Sequence, residues 1–357
     1  MNTRVIKITN QEIKENPYLL REAAKIIAEG EVVAFPTETV YGLGANALNE
    51  KAVRKIFELK GRPSDNPLIV HLHSKELIKN YAEISNEVEK QIVEDLMPGP
   101  LTLILKKKEI IPSIVTAGLP TVGIRIPYNP IAQKLIELSG VPISAPSANL
   151  SGKPSATEAQ TVIEEFAGKI PFVIDGGKTH IGIESTVIMV KEEETKYSIL
   201  ILRPGFITKE DLENFVNENK FSKQVEVIYS ENIQQETPLS PGQKYKHYSP
   251  KSHVAIIKDF KKAEELIKDF KNEKIGVLGR KNFLKEVKKI LTYLGVKNIF
   301  ELEWCEYDLI DCARNLFFAY RIFDKENVAI ILVEYLEEKG LGYSIMNRVK
   351  KSSTYFI

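Results

Sequence analysis

The segment from Val32 to Arg62 constrains the fold more than any other part of the chain. An apolar, strand-like run over 32–35 leads directly into the turn-prone sequence PTET (36–39). A helical pattern then runs from about Glu50 to Lys60, with Gly61 as its C-terminal stop. A strand, a polar loop, a helix and a basic loop in this order predict an anion and nucleotide site that uses no Walker motif.

The first two hundred residues continue in this style, with short apolar runs alternating with helical patterns. Several predicted strands follow one another with only a turn between them, which favours a twisted mixed sheet over a purely parallel one. The predicted strands lie at 68–72, 101–105, 122–126, 141–144, 172–174, 186–190 and 199–202, and the predicted helices at 17–29, 130–139, 157–167 and 208–218.

The regular pattern stops near residue 219, and a proline-rich stretch, SPGQKYKHYSP (240–250), follows. A β-α-β-α-β rhythm begins after it, with strands at 254–257, 275–278 and 299–300. We therefore expect an N-terminal α/β domain over 1–218, a linker or lid over 219–250, and a smaller Rossmann-like α/β domain over 251–357.

Composition excludes several classes of protein. A net charge of +1 over 357 residues excludes a chain that is basic all over, so any nucleotide or nucleic-acid contact must be local. The two cysteines, Cys305 and Cys312, lie seven residues apart in a helix-like stretch. They fit neither a zinc site nor a disulfide framework, and we expect reduced thiols. No signal peptide or membrane-spanning run is present in the sequence, which predicts a cytoplasmic protein.

Two basic residues on either side of a glycine, Lys60 and Arg62, could converge on one anion. A solvated helix C-terminus would also favour cations there, so these residues alone do not decide the matter. Thr121 and Arg125 lie four apart on a predicted strand and therefore on one face, where a buried arginine needs an anionic partner. His71 could ligate a metal together with His73, although a buried hydrogen bond or a substrate contact is the favoured interpretation.

Further hydroxyl and amide groups stand at the ends of other strands, in SAPSANLSG (144–152), EST (184–186) and RPG (203–205). Such strand ends are where open α/β sheets bind ligands. The chain contains no nucleophile elbow, HExxH motif or phosphate loop. Chemistry by positioning and charge neutralisation therefore fits better than covalent catalysis.

Seven motifs, taken together and in order, resemble the YrdC-like family of L-threonylcarbamoyladenylate synthases. The linker and the sequence GYSIMNR (342–348) resemble the long, two-domain form of that enzyme. The motifs are PTETVYGLG (36–44), KGRP…DNPLIVH (60–71), PGPLT (98–102), TVGIRIP (121–127), SAPSANLSG (144–152), ESTV (184–187) and LRPG (202–205).

The resemblance implies synthesis of threonylcarbamoyl-AMP and pyrophosphate from L-threonine, bicarbonate or CO2, and ATP, with Mg2+ on the triphosphate. A partner transferase would then modify the adenosine next to the anticodon of tRNA. Two alternatives come from other classes: a non-catalytic module that binds double-stranded RNA or tRNA, and an enzyme that uses carbamoyl phosphate. The near-neutral charge disfavours the first, and the lack of zinc-finger-like cysteines disfavours the second.

The resemblance also implies roles for individual residues. Arg125 would pair with the amino acid's carboxylate, and Lys60 and Arg62 would act on the triphosphate as catalytic residues. The ATP site would contain Lys60, Arg62, Asn66, Ser147, Asn149, Ser151, Thr157, Arg203 and Tyr245, the L-threonine site Thr37, Thr39, His71, Thr121, Arg125 and Ser185, and the lid Lys244, Tyr245 and His247.

Overall fold

The computed structural model describes residues 2–230, 248–306 and 308–357, which divide into two compact units. The first unit holds most of the chain up to residue 230, and the second holds the described chain from Tyr248 onward. Two short segments that come earlier in the sequence, Gly152–Ser155 and Ile181–Ile183, also belong to the second unit. Each unit is an α/β structure, as the sequence predicted.

The first unit is built on one mixed sheet of twelve strands. Its strands are β1 (Arg4–Lys7), β2 (Val33–Phe35), β3 (Gly42–Asn46), β4 (Ile69–His71), β5 (Ala82–Glu83), β6 (Leu101–Lys107), β7 (Thr121–Arg125), β8 (Ile143–Ser144), β9 (Phe172–Asp175), β10 (Thr186–Glu192), β11 (Lys196–Arg203) and β12 (Gln224–Tyr229). Their order is β1-β9-β2-β3-β8-β4-β7-β6-β10-β11-β12, with β5 added on β6.

Nine helices accompany this sheet in the described residues: α1 (Asn10–Glu15), α2 (Arg21–Ala28), α3 (Glu50–Lys60), α4 (Ile78–Tyr81), α5 (Glu87–Leu96), α6 (Ser113–Thr116), α7 (Pro130–Ser139), α8 (Ala159–Phe166) and α9 (Lys209–Glu218). Short 3-10 turns cover Pro17–Leu20 and Lys75–Leu77. Two apolar clusters form the core: the larger contains the buried side chains of α3, β4, β6 and β7, and the smaller contains those of α2, α7 and β9.

Strand pairing brings the polar strand ends together. Parallel pairing of β4 with β7 sets His71 beside Arg125, and antiparallel pairing of β4 with β8 sets His71 beside Ile143. The start of β10 lies beside the start of β6, and Arg203 at the end of β11 pairs with Val187. The sheet register therefore gathers residues that are far apart in sequence.

The second unit carries a parallel sheet of five strands in the order β15-β14-β16-β13-β17. The strands are β13 (His253–Ile257), β14 (Ile275–Gly279), β15 (Ile299–Glu303), β16 (Ile330–Glu334) and β17 (Tyr355–Phe356), and the helices α10 (Phe260–Asp269), α11 (Lys281–Tyr293), α12 (Leu309–Lys325) and α13 (Leu341–Ser352). Parallel strands connected by helices confirm the predicted Rossmann-like class.

The Ile181–Ile183 segment packs against α12 inside the second unit. A Cβ on Gly182 would lie 2.3 Å from the Cα of Arg314, so the two backbones are in direct contact and only glycine fits. Gly182 also has a φ of 82°, which side chains rarely adopt. The other early segment, Gly152–Ser155, contributes its Gly152 carbonyl, which accepts the N–H of Ser249 at 2.8 Å.

The structure contains strands that were not predicted from the sequence, namely β1, β3, β5, β12, β16 and β17. Residues 224–229 lie in the predicted linker but form β12, which pairs with β11 in parallel over six residues. Alternate residues of this strand, Val225, Val227 and Tyr229, pack on the main core, so the strand has the period of two that marks half-buried β structure. At the other edge of the sheet, β1 was not predicted and pairs with β9.

The prediction of two reduced thiols is wrong for this structure, in which Cys305 and Cys312 form a disulfide. The sequence suggested one continuous helix across both residues, but α12 begins only at Leu309, and Cys305 follows β15. The intervening turn brings the two Cα atoms to 4.9 Å, a separation that a disulfide can span. The buried Trp304 donates its indole N–H to the Cys312 carbonyl at 2.8 Å and fixes that turn.

No helix among the described residues is long and apolar enough to cross a membrane.

Replacing Gly205 by Ala should destabilise the first unit. A Cβ at this position would lie 2.3 Å from the backbone nitrogen of Thr186, which cannot move without displacing β10. We expect overpacking to lower the free energy of unfolding by about 1–3 kcal/mol, measured by denaturant titration with far-UV circular dichroism. A loss below about 0.5 kcal/mol would show that the Arg203–Gly205 turn can shift away from β10 at little cost.

Candidate active site

Helix α3 delivers Lys60 to the site. Asn49 caps the start of the helix through its side chain, and Gly61, at a φ of 58°, ends it in the left-handed conformation. Lys60 is 3% exposed, and its Nζ donates to the carbonyl oxygens of Ser147 and Asn149, at 2.6 Å for Ser147. This one ammonium group therefore joins two sequence motifs that are 87 residues apart.

The basic loop after α3 is held by its own arginine. Arg62 donates from Nε to the Asn66 carbonyl at 3.2 Å and from Nη2 to the Pro67 carbonyl at 2.9 Å. The side-chain oxygen of Asn66 is buried and has no hydrogen-bond partner in the described chain. Arg62 and Asn66 thus lie together, next to the Lys60 end of the helix.

The PTET turn is fixed by the hydroxyl of Thr37. This hydroxyl donates to the Val40 carbonyl at 2.6 Å and accepts from the N–H groups of Thr39 and Val40. Its donor and acceptor capacity is therefore used inside the loop, whereas the Thr39 hydroxyl has Thr37 as its one hydrogen-bond partner among the described residues. The carbonyl of Tyr41 accepts from the N–H of Ala148 at 2.7 Å, which ties this turn to the Ser147 loop.

Arg125 forms a buried ion pair with Glu38 of the PTET turn. Nη2 of Arg125 lies 2.8 Å from Oε1 of Glu38, and the two side chains are 5% and 6% exposed. The distance is that of an ion pair, but the angles are not those of a hydrogen bond, because both Glu38 oxygens and the Arg125 Nε and Nη2 atoms lack a hydrogen-bond partner among the described residues. The charges balance while the hydrogen bonds remain unmade.

His71 lies beside this pair and stays neutral. Burial, reinforced by the positive charge of Arg125, lowers the pKa of His71 from its ordinary value of 6.5 to about 3. Its Nδ1 is 3.2 Å from the Ile69 carbonyl, an acceptor that a protonated ring nitrogen can serve. The imidazole can therefore offer hydrogen bonds at neutral pH but not a positive charge.

A second polar cluster forms where β10 begins. The hydroxyls of Thr102 and Ser185 are 2.9 Å apart, and Arg203 donates to both the carbonyl and the hydroxyl of Ser185. All three residues are at least 94% buried, since Arg203, the most exposed of them, has 6% of its surface accessible. The pairing of β10 with β11 therefore brings a buried guanidinium against Ser185.

Buried polar atoms without hydrogen-bond partners concentrate in this region. Leaving such an atom unpaired costs about 1–3 kcal/mol, so a group of them at one place indicates a ligand that completes the bonds. The residues concerned here are Glu38, Asn66, Arg125 and Ser144. They belong to the PTET turn, the basic loop, the end of β7 and the end of β8.

Not every predicted site residue joins these clusters. Thr121 stands at the start of β7, about 13 Å along the strand from Arg125, and lines a separate hollow with Leu119 and Thr116. Ser151 is exposed, although its N–H donates to the Lys60 carbonyl at 2.9 Å. Thr157 is buried, and its carbonyl accepts the N–H of Thr179. The predicted lid residues Lys244, Tyr245 and His247 lie outside the described residues.

The sequence interpretation assigned no role to Glu38, Thr102 or Ser144. Glu38 stands between two threonines in the first motif, and only its pairing with Arg125 reveals a role. Thr102 belongs to PGPLT and Ser144 to the motif that contains Ser147. An acidic residue inside an otherwise hydroxyl-rich turn was the one available signal for Glu38.

No group of three or more histidine, cysteine, aspartate or glutamate side chains in the described chain is arranged to hold a metal ion. A Mg2+ ion with mostly phosphate and water ligands needs no such group. The described residues are therefore compatible with a magnesium–nucleotide complex but do not themselves form a metal site.

The neutrality of His71 can be tested directly by nuclear magnetic resonance. The chain has five histidines, and we expect the His71 ring, assigned by its absence in His71→Asn, to remain neutral from pH 7.5 down to about 4.5. Below pH 6.5 the His71 ring binds a proton in the unfolded chain but stays unprotonated in the folded protein. His71 therefore lowers the free energy of unfolding as the pH falls from 6.5 towards 3, and it has no effect above pH 6.5. A His71 ring that titrates near 6.5 would contradict its burial beside Arg125.

Both parts of the chain match known protein families. Residues 25–205 match the Sua5–YciO–YrdC family, which carries the description "Telomere recombination". Residues 207–354 match the family described as "Threonylcarbamoyl-AMP synthase, C-terminal domain". The two matches follow each other directly and together cover most of the sequence.

Similar proteins extend this result over the whole chain. The threonylcarbamoyl-AMP synthase of Pyrococcus abyssi is 45% identical, with 98% of each chain covered. That of Bacillus subtilis is 41% identical over 96% of this chain and 95% of its own. A crystal structure of Pyrococcus abyssi Sua5 complexed with L-threonine superposes with a TM-score of 0.85, at 43% identity and with 99% of each chain covered. The chain therefore belongs to the Sua5/YrdC family of threonylcarbamoyl-AMP synthases, in the two-domain form with the Sua5 C-terminal domain.

Proposed function

We propose that this protein makes threonylcarbamoyl-AMP from L-threonine, bicarbonate or CO2, and ATP at the site between the PTET turn and the Ser147 loop. The observation that carries the proposal is the group of buried, unpaired polar atoms on Glu38, Asn66, Arg125 and Ser144. The Pyrococcus abyssi relative has been crystallised with L-threonine, which supports an amino-acid pocket here as well.

L-threonine would bind at Arg125. Two nitrogens of the guanidinium, Nε and Nη2, have no hydrogen-bond partner in the described part of the chain, and these two form the edge that matches a carboxylate in a bidentate pairing. His71 beside it is neutral and can form a hydrogen bond without repelling the substrate's ammonium. We also propose contacts from Thr39 and Ser185, with Thr37 acting through the turn. Thr121 stands at the far end of β7 from Arg125 and is not proposed to contact the same ligand.

ATP would bind on the Lys60 side. Lys60 and Arg62 leave the same helix end, and Ser147 and Asn149 lie on the loop that Lys60 holds. Arg203 provides a further buried cation beside Ser185. The remaining proposed ATP contacts are Asn66, Ser151, Thr157 and, beyond the described residues, Tyr245 of the proposed lid.

The chemistry needs positioning and charge neutralisation more than a protein nucleophile. The amine of L-threonine, once unprotonated, attacks CO2 and releases a proton as the carbamate forms. A carbamate oxygen then attacks the α-phosphate as pyrophosphate leaves. Buried cations on the phosphate side would stabilise the charge that develops in that step. Mg2+ bound to the triphosphate would neutralise part of its charge.

The product is a reactive mixed anhydride, which implies an acceptor downstream. We propose a partner transferase that passes the threonylcarbamoyl group to the adenosine beside the anticodon of tRNA. The family assignment disfavours the non-catalytic RNA-binding alternative, which would need no amino-acid pocket. We further propose domain boundaries at 1–218 and 251–357, with the 219–250 segment, apart from β12, serving as a linker or lid.

Two substitutions should separate the two substrates. Arg125→Ala removes the carboxylate partner and leaves Glu38 buried without a counter-charge, so we expect KM for L-threonine to rise about 100-fold or more. Arg62→Ala should instead lower kcat/KM for ATP at least about tenfold. Both kinetic constants are measured by following pyrophosphate release and the nucleotide products in the presence of all three substrates.

Lys106→Ala provides the matched control, because Lys106 is an exposed cation paired with Glu83 on the same sheet. We expect its kinetic constants to match those of the unmodified protein, since exposed ion pairs contribute little. Pyrophosphate release that does not depend on L-threonine, or full activity of both arginine variants, would contradict the proposed function and its site.

A further inference from the structure

Glu38 is a buried acidic group beside the proposed L-threonine pocket, and the proposed reaction assigns it no role. Its side chain is 6% exposed and lies at 2.8 Å from Arg125. An arginine whose only task was to be neutralised would normally meet its carboxylate in a bidentate arrangement with aligned hydrogen bonds. Here neither carboxylate oxygen has a hydrogen bond from any described residue.

Hydrogen bonds hold the backbone of the turn around Glu38 in place. The Thr37 hydroxyl holds the N–H groups of both Thr39 and Val40, and the Tyr41 carbonyl is bound to Ala148. The backbone on both sides of Glu38 is therefore fixed. A fixed, buried carboxylate with two unused acceptor oxygens is a site for a cationic donor.

The unused atoms occur in complementary pairs. Arg125 offers two unused N–H directions, and Glu38 offers two unused oxygens, all in one buried place. A zwitterionic α-amino acid carries a carboxylate and an ammonium on the same carbon and can satisfy both at once. A ligand with only one of these charges would complete only half of the site.

We propose that Glu38 binds the α-ammonium group of the amino-acid substrate, so that Glu38 and Arg125 together recognise the zwitterion. This inference rests on the proposed function, because it names the group that receives the substrate's amine in the same pocket. Glu38 would thereby orient the nitrogen that becomes the nucleophile. In the absence of substrate the same carboxylate balances the charge of Arg125.

The experiment compares two ligands in two proteins. The ligands are L-threonine and its analogue in which a hydroxyl replaces the α-amine, and the proteins are the whole unmodified chain and Glu38→Gln. Dissociation constants come from isothermal titration calorimetry, with competition for the weaker ligand. The amide keeps the shape of the side chain but removes its negative charge.

We expect the unmodified protein to prefer L-threonine over the hydroxy acid by about 10- to 100-fold, the range of a charge-assisted hydrogen bond. In Glu38→Gln this preference should fall to within about threefold. Equal weakening of both ligands, with the preference retained, would make Glu38 a counter-ion for Arg125 only and would overturn the proposal.

Two further variants keep the test decisive. Glu38→Asp retains the charge on a shorter side chain, and we expect an intermediate preference. If Glu38→Gln does not fold, an unchanged preference in Glu38→Asp would overturn the proposal. Glu83→Gln removes an exposed carboxylate of the same sheet and should leave both constants unchanged.

Failure of the proposed function would look different. An unmodified protein that bound no L-threonine would overturn the function itself. Binding of L-threonine by the unmodified protein, with the same ligand preference in Glu38→Gln, would overturn only the role of Glu38.

Discussion

The ammonium group of Lys60 is the contact on which the rest of the site depends. A buried amine is costly unless its N–H groups find acceptors, and Lys60 finds the carbonyls of Ser147 and Asn149. Since α3 ends one residue later at Gly61, the helix, the basic loop and the Ser147 loop are held at a single point. The Tyr41–Ala148 hydrogen bond adds the PTET turn to the same assembly.

Around Lys60 the fold buries polar groups without giving all of them hydrogen-bond partners among the described residues. The core clusters are apolar and closely packed, whereas the pocket keeps an ion pair with poor angles and several unpaired oxygens. Stability gained in the core therefore offsets strain concentrated in the pocket, a division of labour typical of sites that await a ligand. A bound ligand would supply the hydrogen bonds that these buried groups lack in the folded protein. The groups that are costly to bury therefore also determine which ligand binds.

Much of this could be predicted from the sequence because local signals agree with the fold. Asn49 and Gly61 bound α3 at the predicted residues, and the mixed sheet, the parallel second sheet and the family follow from patterns and motifs. Contacts that depend on register could not be read in the same way. Periodicity correctly puts Thr121 and Arg125 on one face of the strand, but it does not give the distance between them. Four residues of strand place them too far apart to contact the same small ligand.

The remaining differences have equally local causes. The six residues of β12 alternate as a strand should, but their proximity to the proline-rich stretch favoured a linker. Glu38 is one residue in a short polar turn, and only the partner across the sheet reveals its position. Cys305 and Cys312 are close because α12 begins between them, which a continuous helical pattern conceals.

The membership of the Ile181–Ile183 segment in the second unit affects how the protein can evolve. Gly182 is in backbone contact with α12, yet it lies more than a hundred residues before that helix in the sequence. The boundary between the matched families, at 205–207, is therefore a boundary in sequence but not in physical structure. A chain recombined at that boundary would lose the contacts that residues 152–155 and 181–183 make within the second unit.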